Sequence, residues 1–361
     1  MGKDPLENQV PITILDIARE AGVSHATVSR ALNNKGDLSP ATRARVLAVA
    51  EKLHYVPSSV ARALVSGQTR TFGLIVSNNA SPFFSEIVRV IEGTTNAAGF
   101  GLLLCNSAES QEQALRCLAM LLSKQVDAII LTPVQSDTRD VALLQRSGIP
   151  YLLLLRRFAD LAADSVVLDN VKGGYLVTDH LLCLGHRRIG HVAGPSHIFS
   201  AEGRLAGYRK ALEERGVPYD DGLVVNAGFT VAGGYEAAMV LLERARRPAP
   251  GPGRGEPATT AIFASTDLQA VGVLKAAREL GLRIPDDVAL TGGDDIELAE
   301  YLEVPLTTFR QPAHEIGARS VEILLARLAG DQSAPRQVVL DPELVVRRSS
   351  GHPIIEEELY T

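Results

Sequence analysis

The sequence has little of several residue types, and each shortage narrows the class of protein. It has no tryptophan, three cysteines, and aromatic residues make up 5% of its 361 residues. Cys105, Cys117 and Cys183 lie far apart and form no C-x-x-C pair, so neither a disulfide framework nor a cysteine zinc site is expected. We expect all three to be reduced thiols in the core.

The chain also lacks any apolar run of 18 or more residues, which a membrane-spanning helix would need. Its first ten residues, MGKDPLENQV, lack the charged-then-apolar pattern of a secretion signal. We therefore expect a cytoplasmic protein without membrane contact. This argues against an exported solute-binding protein.

The chain as a whole also has no excess of positive charge, since its formal net charge is −6. The charge is unevenly distributed, however. Residues 1–70 hold nine lysines and arginines against six acidic residues, which gives +3 there and leaves −9 for the rest. A basic head on an acidic body would orient the molecule on a polyanion.

Residues 12–33 have the pattern of two short helices joined by a tight turn. Thr13 is a good N-cap, and Asp16 is placed three residues later to bond back to it. Gly22 ends the first helix where a positive φ is needed, and Ser24 caps the second. The pattern predicts a helix-turn-helix, although the same geometry also occurs in ordinary surface helical hairpins.

The second of these helices has two distinct faces. Val28 and Leu32 are four residues apart and face inward. The opposite stripe carries short polar or small side chains and one long cation: His25, Ala26, Ser29, Arg30 and Asn33. Such a face fits the major groove of DNA.

A third helix is predicted from Ser39-Pro40 to about His54, and Tyr55-Val56-Pro57 then breaks the chain. Residues 58–64 follow, which is only about two turns of helix. A helix of this length is not stable alone in water and needs a partner surface. Residues 66–70 form a linker.

From Thr71 onward, short apolar runs alternate with amphipathic helical stretches, which is typical of a parallel sheet covered on both faces. Two such βα lobes follow each other. Strands are predicted at 72–77, 101–105, 127–131, 151–155, 188–192, 223–225, 260–264 and 288–291. Helices are predicted at 82–99, 111–123, 173–184, 231–244 and 268–281. One more is predicted between the strands 127–131 and 151–155, and another starts at Arg204.

Binding sites in such folds lie beyond the carboxyl ends of the strands. The candidate loops are therefore those that follow predicted strands: Asn78–Ser81, Arg156–Phe158, Asp169-Asn170, Gly194–Arg204, Thr266-Asp267 and Asp294-Asp295.

The order A-G-V-S-x-x-T-V-S-R-x-L-N at residues 21–33 resembles the start of the lac/galactose repressor family of bacterial transcription regulators. Further landmarks extend the resemblance to about Ser350: S-P-F-F at 81–84, D-N at 169–170, L-G-H-R-R at 184–188, R-L-A-G-Y at 204–208, T-D at 266–267, I-P-D-D-V at 284–288, D-D at 294–295 and L-T-T at 306–308.

The resemblance implies an α+β multidomain protein. An all-α helix-turn-helix head at residues 1–57 and a hinge helix with linker at 58–70 would precede an α/β periplasmic-binding-protein-like core at 71–350. That core would have two doubly wound parallel-sheet lobes. We expect the first at about 71–170 plus 308–328 and the second at about 171–307 plus 329–350, with a tail at 351–361.

The resemblance also implies which residues contact DNA. We expect His25, Ala26 and Arg30 to contact base edges, and Thr27, Ser29 and Asn33 to make backbone or mixed contacts. Thr13 and Ser24, which begin the two helices, complete the expected set in the head. In the hinge we expect Val60, Ala61 and Leu64. Leu64 would be inserted into the minor groove, although by itself it would be interpreted as a core leucine.

The cleft between the lobes would hold a small effector. The resemblance points to these effector-binding residues: Asn78, Phe83, Phe84, Arg156, Asp169, Arg204, Thr266 and Asp294. Arg204 could grip a carboxylate, a phosphate or a pair of hydroxyls. The alternatives are a lobe salt bridge for Arg204 and a turn-capping carboxylate for Asp294. Asn78, Ser81, Leu155 and Thr266 depart from the usual family residues, which favours an acidic or less hydroxyl-rich effector.

We therefore expect a ligand-responsive repressor that binds a pseudopalindromic double-stranded operator as a homodimer. The tail lacks a leucine heptad, which argues against a tetramer. An activator or a corepressor-dependent repressor stays open. A solute-binding protein without a transcriptional role and an enzyme acting on a sugar-like compound are alternatives. No reactive constellation or metal motif supports the enzyme, and we expect no cofactor.

Overall fold

The computed structural model describes residues 12–33, 36, 38–55, 67–133, 138–158, 161–246 and 259–351. The chain divides into two compact units, one up to Thr69 and one from Arg70 onward. Within the described ranges, no helix is both long and apolar enough to cross a lipid bilayer. The predicted hinge residues Val60, Ala61 and Leu64 lie outside the described residues.

The first unit contains three described helices: α1 (Ile14–Ala21), α2 (His25–Leu32) and α3 (Pro40–Lys52). Its small core is built around Ile17, Val28 and Val46, none of which is exposed to solvent. Gly22 ends α1 with φ 65°, a left-handed conformation that glycine adopts at little cost. The predicted helix-turn-helix is confirmed, and a third helix closes its core.

The second unit contains helices α4 (Pro82–Ala97), α5 (Gln111–Ser123), α6 (Arg139–Ser147), α7 (Asn170–Cys183), α8 (Phe199–Glu214), α9 (Val231–Arg246), α10 (Asp267–Glu279), α11 (Leu298–Tyr301) and α12 (Ala313–Leu328). Its strands are β1 (Thr71–Val76), β2 (Gly101–Asn106), β3 (Ala128–Leu131), β4 (Tyr151–Leu154), β5 (Asp164–Leu168), β6 (Ile189–Ala193), β7 (Val224–Asn226), β8 (Ala261–Ala264), β9 (Ala289–Asp294), β10 (Thr307–Arg310), β11 (Gln337–Leu340) and β12 (Glu343–Val345).

The strands form two six-stranded sheets, one in each lobe. The first has the order β11-β5-β4-β3-β1-β2, and the second has the order β12-β10-β9-β8-β6-β7. The pairings are parallel except for β10 with β12. The expected pair of parallel-sheet lobes is confirmed. The chain passes between them after β5, after β10 and after β11.

The predicted assignment of residues 308–350 to the two lobes is wrong in two places. The segment 308–310 belongs to β10 in the second lobe, and β11 lies in the first lobe beside β5. A buried carboxylate explains the placement of β11. Asp164 accepts two hydrogen bonds of 2.8 Å from Arg327 on α12, and a third of 2.7 Å from the backbone N–H of Arg336.

Three further expectations need correction. Helix α8 begins at Phe199, five residues before the predicted start, so Arg204 lies on a helix rather than in the predicted loop. The predicted set of strands omits β5, β10, β11 and β12. Cys183 is exposed rather than buried, because it ends α7 on a charged surface, where its sulfur accepts from Arg215 at 3.0 Å.

Two helix pairs in the second lobe, α7 with α8 and α9 with α10, approach each other at glycines. A Cβ at Gly207 would lie 2.0 Å from the carbonyl oxygen of Val171, and one at Gly272 would lie 2.2 Å from that of Val231. Each pair is also joined at its surface by a tyrosine–glutamate hydrogen bond of 2.7 Å: Tyr175 to Glu214, and Tyr235 to Glu279. The lobe thus uses one packing arrangement twice.

We predict that Gly207→Ala destabilises the protein by about 1–3 kcal/mol, because the added methyl group forces two backbones apart. The matched control is Gly93→Ala. Gly93 lies in α4 with open space where a Cβ would stand, so this change should stabilise the protein by about 0.5–1 kcal/mol. Urea denaturation measures both. Equal effects of the two substitutions would contradict the close-packing argument.

Candidate functional site

A cavity opens between the two lobes. Seven of the eight predicted effector residues line it: Asn78, Phe83, Phe84, Arg156, Arg204, Thr266 and Asp294. The space is about 910 Å³ when the solvent at its open end is included, which is enough for a small metabolite. Its walls come from the loops after strands and the first turns of the following helices, as expected for this fold class.

Asp169 is the exception, because it does not line the cavity. Its carboxylate instead caps α7 by accepting a hydrogen bond of 2.8 Å from the backbone N–H of Lys172. The neighbouring Asn170 lines the cavity. Its side-chain oxygen accepts from Arg204 Nε at 3.2 Å, and its amide nitrogen donates to the carbonyl oxygen of Leu168 at 3.2 Å.

Arg204 is the most heavily bonded side chain of the cavity wall, and it is only 4% exposed. Besides Asn170, it donates to the carbonyl oxygen of Ser265 at 2.6 Å and to Asp294 Oδ1 at 3.3 Å. Its guanidinium also stacks 4.9 Å from the ring centre of Phe309. Arg204 therefore forms the alternative salt bridge and still faces the cavity. This salt bridge lies within the second lobe.

Asp294 ends β9 in a left-handed backbone conformation with φ 117°. Its Oδ1 accepts from Gln311 as well as from Arg204. Burial raises the pKa of Asp294 to about 6, while the charge of Arg204 and the hydrogen bonds from Gln311 and Arg204 limit the rise. An uncommon backbone conformation combined with a perturbed acid is characteristic of functional sites.

A second buried acid, Asp267, stands behind the pair and was not among the predicted residues. It accepts from Thr308 Oγ1 at 2.7 Å and from the backbone N–H of Ile296 at 2.9 Å. Burial raises the pKa of Asp267 well above its usual range, and the nearby Asp294 adds to the rise. In the sequence this position is marked by the T-D landmark at 266–267, but the pattern there predicts a loop after a strand and does not predict that the carboxyl of Asp267 is buried.

Arg156 belongs to the first lobe and contacts the second. Its two terminal nitrogens donate to the carbonyl oxygens of Pro133 at 3.3 Å and His197 at 2.9 Å. The preceding Leu155 has φ 60°, which costs on the order of 1 kcal/mol for a residue with a side chain. This strained turn directs Arg156 into the cavity wall.

Aromatic rings cover much of the remaining wall. Phe83 and Phe84, at the start of α4, have ring centres 5.7 Å apart. Phe199 and Phe229 line the cavity as well, and neither was predicted. Flat apolar walls beside a few polar groups are typical of sites for small ring-shaped ligands.

The first unit presents the predicted polar face of α2. His25, Arg30 and Asn33 are exposed, and Ser29 is half-buried at the edge of the same stripe. Ser24 Oγ accepts from the backbone N–H of Thr27 at 3.2 Å and shares a 2.9 Å hydrogen bond with its hydroxyl, so both of these side chains are occupied at the helix start.

Two further members of the predicted set lie in this unit, Ala26 on α2 and Thr13 at the start of α1. Ala26 is half-buried. Thr13 donates from its backbone and its hydroxyl to Asp16 at 2.9 and 2.7 Å, which confirms the predicted helix start.

Both units match families of known proteins. Residues 13–58 match the family described as bacterial regulatory proteins, lacI family, and residues 178–350 match the periplasmic binding protein-like domain. The HTH-type transcriptional regulator DegA of Bacillus subtilis (strain 168) is 36% identical, over 94% of this chain and 98% of that protein. This chain belongs to the lacI family. The ribose operon repressor of Escherichia coli (strain K12) is 34% identical, over 94% of this chain and 99% of that protein.

Solved structures of lacI-family proteins share the whole architecture. The lac repressor dimer bound to operator and the anti-inducer ONPF superposes with a TM-score of 0.83 at 28% identity, covering 95% of this chain and 100% of that one. The CelR–cellobiose complex gives 0.71 at 33% identity, covering 94% and 100%. This lacI-family chain is thus a metabolite-controlled DNA-binding regulator with a helix-turn-helix head and a ligand-binding core.

We predict that Arg204→Met destabilises the core by about 3–5 kcal/mol near pH 8, because it leaves Asp294 ionised and unpaired in the interior. Without Arg204 the already raised pKa of Asp294 rises further, so this carboxyl is neutral near pH 5. The loss of folding stability is therefore smaller at pH 5 than at pH 8. Thermal unfolding at the two pH values measures the difference.

The control for this prediction is the double variant Arg204→Met/Asp294→Asn. It lacks the carboxyl of Asp294, so its loss of stability relative to Asp294→Asn should depend less on pH than that of the single variant. The remaining dependence comes from the buried Asp267, whose charge also acts on Arg204. A pH-independent loss in the single variant would contradict the assigned pairing.

Proposed function

We propose that this protein is a cytoplasmic transcriptional repressor whose affinity for its operator is controlled by a small metabolite held between the two lobes. The observation that carries the proposal is the buried Arg204–Asp294 pair. This pair faces a cavity that both lobes line. The same chain presents an exposed polar face on α2, which suits the major groove of DNA.

DNA reading is assigned to the exposed stripe of α2. Arg30 has the length and the fork of donors to reach the acceptor edge of a guanine, and His25 starts the helix where recognition helices enter the groove. A homodimer would place two copies of α2 on the two halves of a pseudopalindrome. The lac repressor dimer bound to its operator supports this arrangement.

Coupling between the two units is assigned to the segment 58–64. By the family resemblance it would be a hinge helix that pairs with its copy on DNA and inserts Leu64 into the minor groove. Effector binding would favour one arrangement of the lobes, and that choice would alter hinge pairing. The coupling free energy is the difference in effector affinity between the two arrangements.

A solute-binding protein without a transcriptional role is the second candidate, since the two-lobed core would serve it equally well. The head disfavours it, because a solute binder has no use for an exposed polar recognition face with +3 net charge around it. A catalytic role is disfavoured by the relatives, which are transcriptional regulators. The name of the ribose operon repressor also favours repression over activation.

The proposal is tested by selecting binding sites from randomised double-stranded DNA with the purified full-length protein, with and without a metabolite mixture. The expected result is one pseudopalindromic site whose affinity changes with the mixture. Absence of any sequence preference under both conditions would falsify the DNA-binding assignment. A preference that no metabolite changes would remove effector control.

We predict that Arg30→Ala relaxes base discrimination at one position in each half-site, at a cost of about 1–3 kcal/mol in binding. The matched control is Arg19→Ala, at a position that lies on α1 with its side chain 82% exposed. That change should weaken binding uniformly across sequences or leave it unchanged. Competition binding against single-base operator variants distinguishes the two. An unaltered preference profile for Arg30→Ala would remove this residue from the recognition set.

A further inference from the structure

Arg156 is a buried cation without a matching anion. It is 5% exposed, and its two hydrogen bonds go to neutral backbone carbonyls, those of Pro133 and His197. Among the described residues, its guanidinium forms no ion pair with a carboxylate within 4.0 Å. The charges of Glu202 and Asp140 act on it only from a longer distance. Arg204, by contrast, has Asp294 as its counter-ion.

The start of α8 lies beside this cation. Arg156 donates to the carbonyl of His197, the residue just before the N-cap Ile198, which has no polar side chain to cap the helix. In the described part of the structure, the backbone N–H groups of Phe199 and Ser200 have no acceptor. Both residues line the cavity. An uncapped helix start next to an arginine attracts anions, because both present donors and positive charge.

A third polar group on the same wall is also unsatisfied. Thr132 is 6% exposed, and its hydroxyl oxygen has no hydrogen-bond partner among the described groups. It precedes Pro133, whose carbonyl accepts from Arg156, and it lines the cavity. A buried hydroxyl left without a partner costs free energy unless a ligand or water supplies one.

None of the acidic groups described around the cavity forms an ion pair with Arg156. Asp294 is used by Arg204. Glu109, at the cavity mouth, and Glu202 are exposed, so water screens them. Asp140 is buried at the start of α6 and takes part in interactions of its own. In the described part of the structure, Arg156 is therefore a buried cation that no carboxylate contacts directly, although the buried Asp140 acts on it from a longer distance.

We propose that the effector of this protein is an anion, a small polar metabolite whose carboxylate or phosphate group binds Arg156 and the first turn of α8. The rest of the molecule lies against Arg204, Asp294 and the phenylalanine rings. The inference rests on the proposed function only in taking this cavity as the effector site. It adds the chemical class that the cavity selects.

The test uses full-length protein and matched pairs that differ by one anionic group: ribose and ribose 5-phosphate, glucose and glucose 6-phosphate, and glucose and glucuronate, with inorganic phosphate as the minimal probe. Thermal shift ranks them and calorimetry gives the affinities. The expected result is binding by the anionic member at least about tenfold tighter than by its neutral parent, since hydrogen bonds to a charged group are worth about that much. This advantage should shrink as NaCl rises from about 50 to about 300 mM.

Two variants identify the residue responsible. Arg156→Gln should bring the paired affinities within about threefold of each other, and Arg156→Lys should keep part of the difference because it keeps the charge. Arg116→Gln removes an arginine whose side chain is 61% exposed, outside the cavity wall, and should change nothing. The Tm of each unliganded variant shows whether it is folded, and the lysine variant remains informative if the glutamine variant is not.

Three outcomes would overturn the inference: equal or tighter binding of the neutral sugars, an unchanged preference in Arg156→Gln, or no binding by any anionic probe including phosphate. Operator binding is measured in parallel. If a neutral sugar alters operator affinity, the proposed function stands and the anionic class fails. If an anion binds through Arg156 but never alters operator affinity, the class stands and effector control fails.

Discussion

The second lobe depends on one buried guanidinium. Arg204 joins three segments that are distant in sequence: Asn170 at the start of α7, Ser265 after β8, and Asp294 at the end of β9. Without Arg204, the side-chain oxygen of Asn170 and the carbonyl of Ser265 would lose a buried donor, and Asp294 would keep the hydrogen bond from Gln311 but lose its counter-ion. The same guanidinium faces the cavity, so the interaction that stabilises the lobe also fixes the geometry of its ligand-binding wall.

The position of the cavity follows from the strand order. Both sheets are essentially parallel, so the carboxyl ends of their strands and the starts of the following helices lie at one edge of each lobe. Three chain crossings join the lobes beside that edge. A small molecule in the cavity therefore contacts both lobes. It could shift the population between two arrangements of the lobes only by the difference between its affinities for them.

Residues with local roles could be predicted from the sequence, and those defined by distant pairing could not. Gly22 and Asp16 act within a few residues of their own helix, so spacing and residue type were sufficient. Which sheet β11 joins depends on Asp164, about 170 residues earlier in the chain. The residue pattern of a strand does not indicate which sheet edge that strand extends. The same limit explains Asp169 and Asn170. Either polar side chain suits the end of a strand, and only the packing of α8 against α7 decides which one faces the cavity.

The lack of an ion-pair partner for Arg156 bears on which arrangement of the lobes an anion would favour. Arg156 belongs to the first lobe, while the start of α8 belongs to the second, and the two touch through the carbonyl of His197. An anion between them would interact with both positive features at once only while the lobes are close together. Its binding energy would then be larger in the closed arrangement than in the open one, which is the condition for a ligand to drive a conformational change. A neutral ligand of equal size would lack this electrostatic part of the difference in affinity between the closed and the open arrangement. The charge of the ligand would therefore determine how strongly binding favours the closed arrangement.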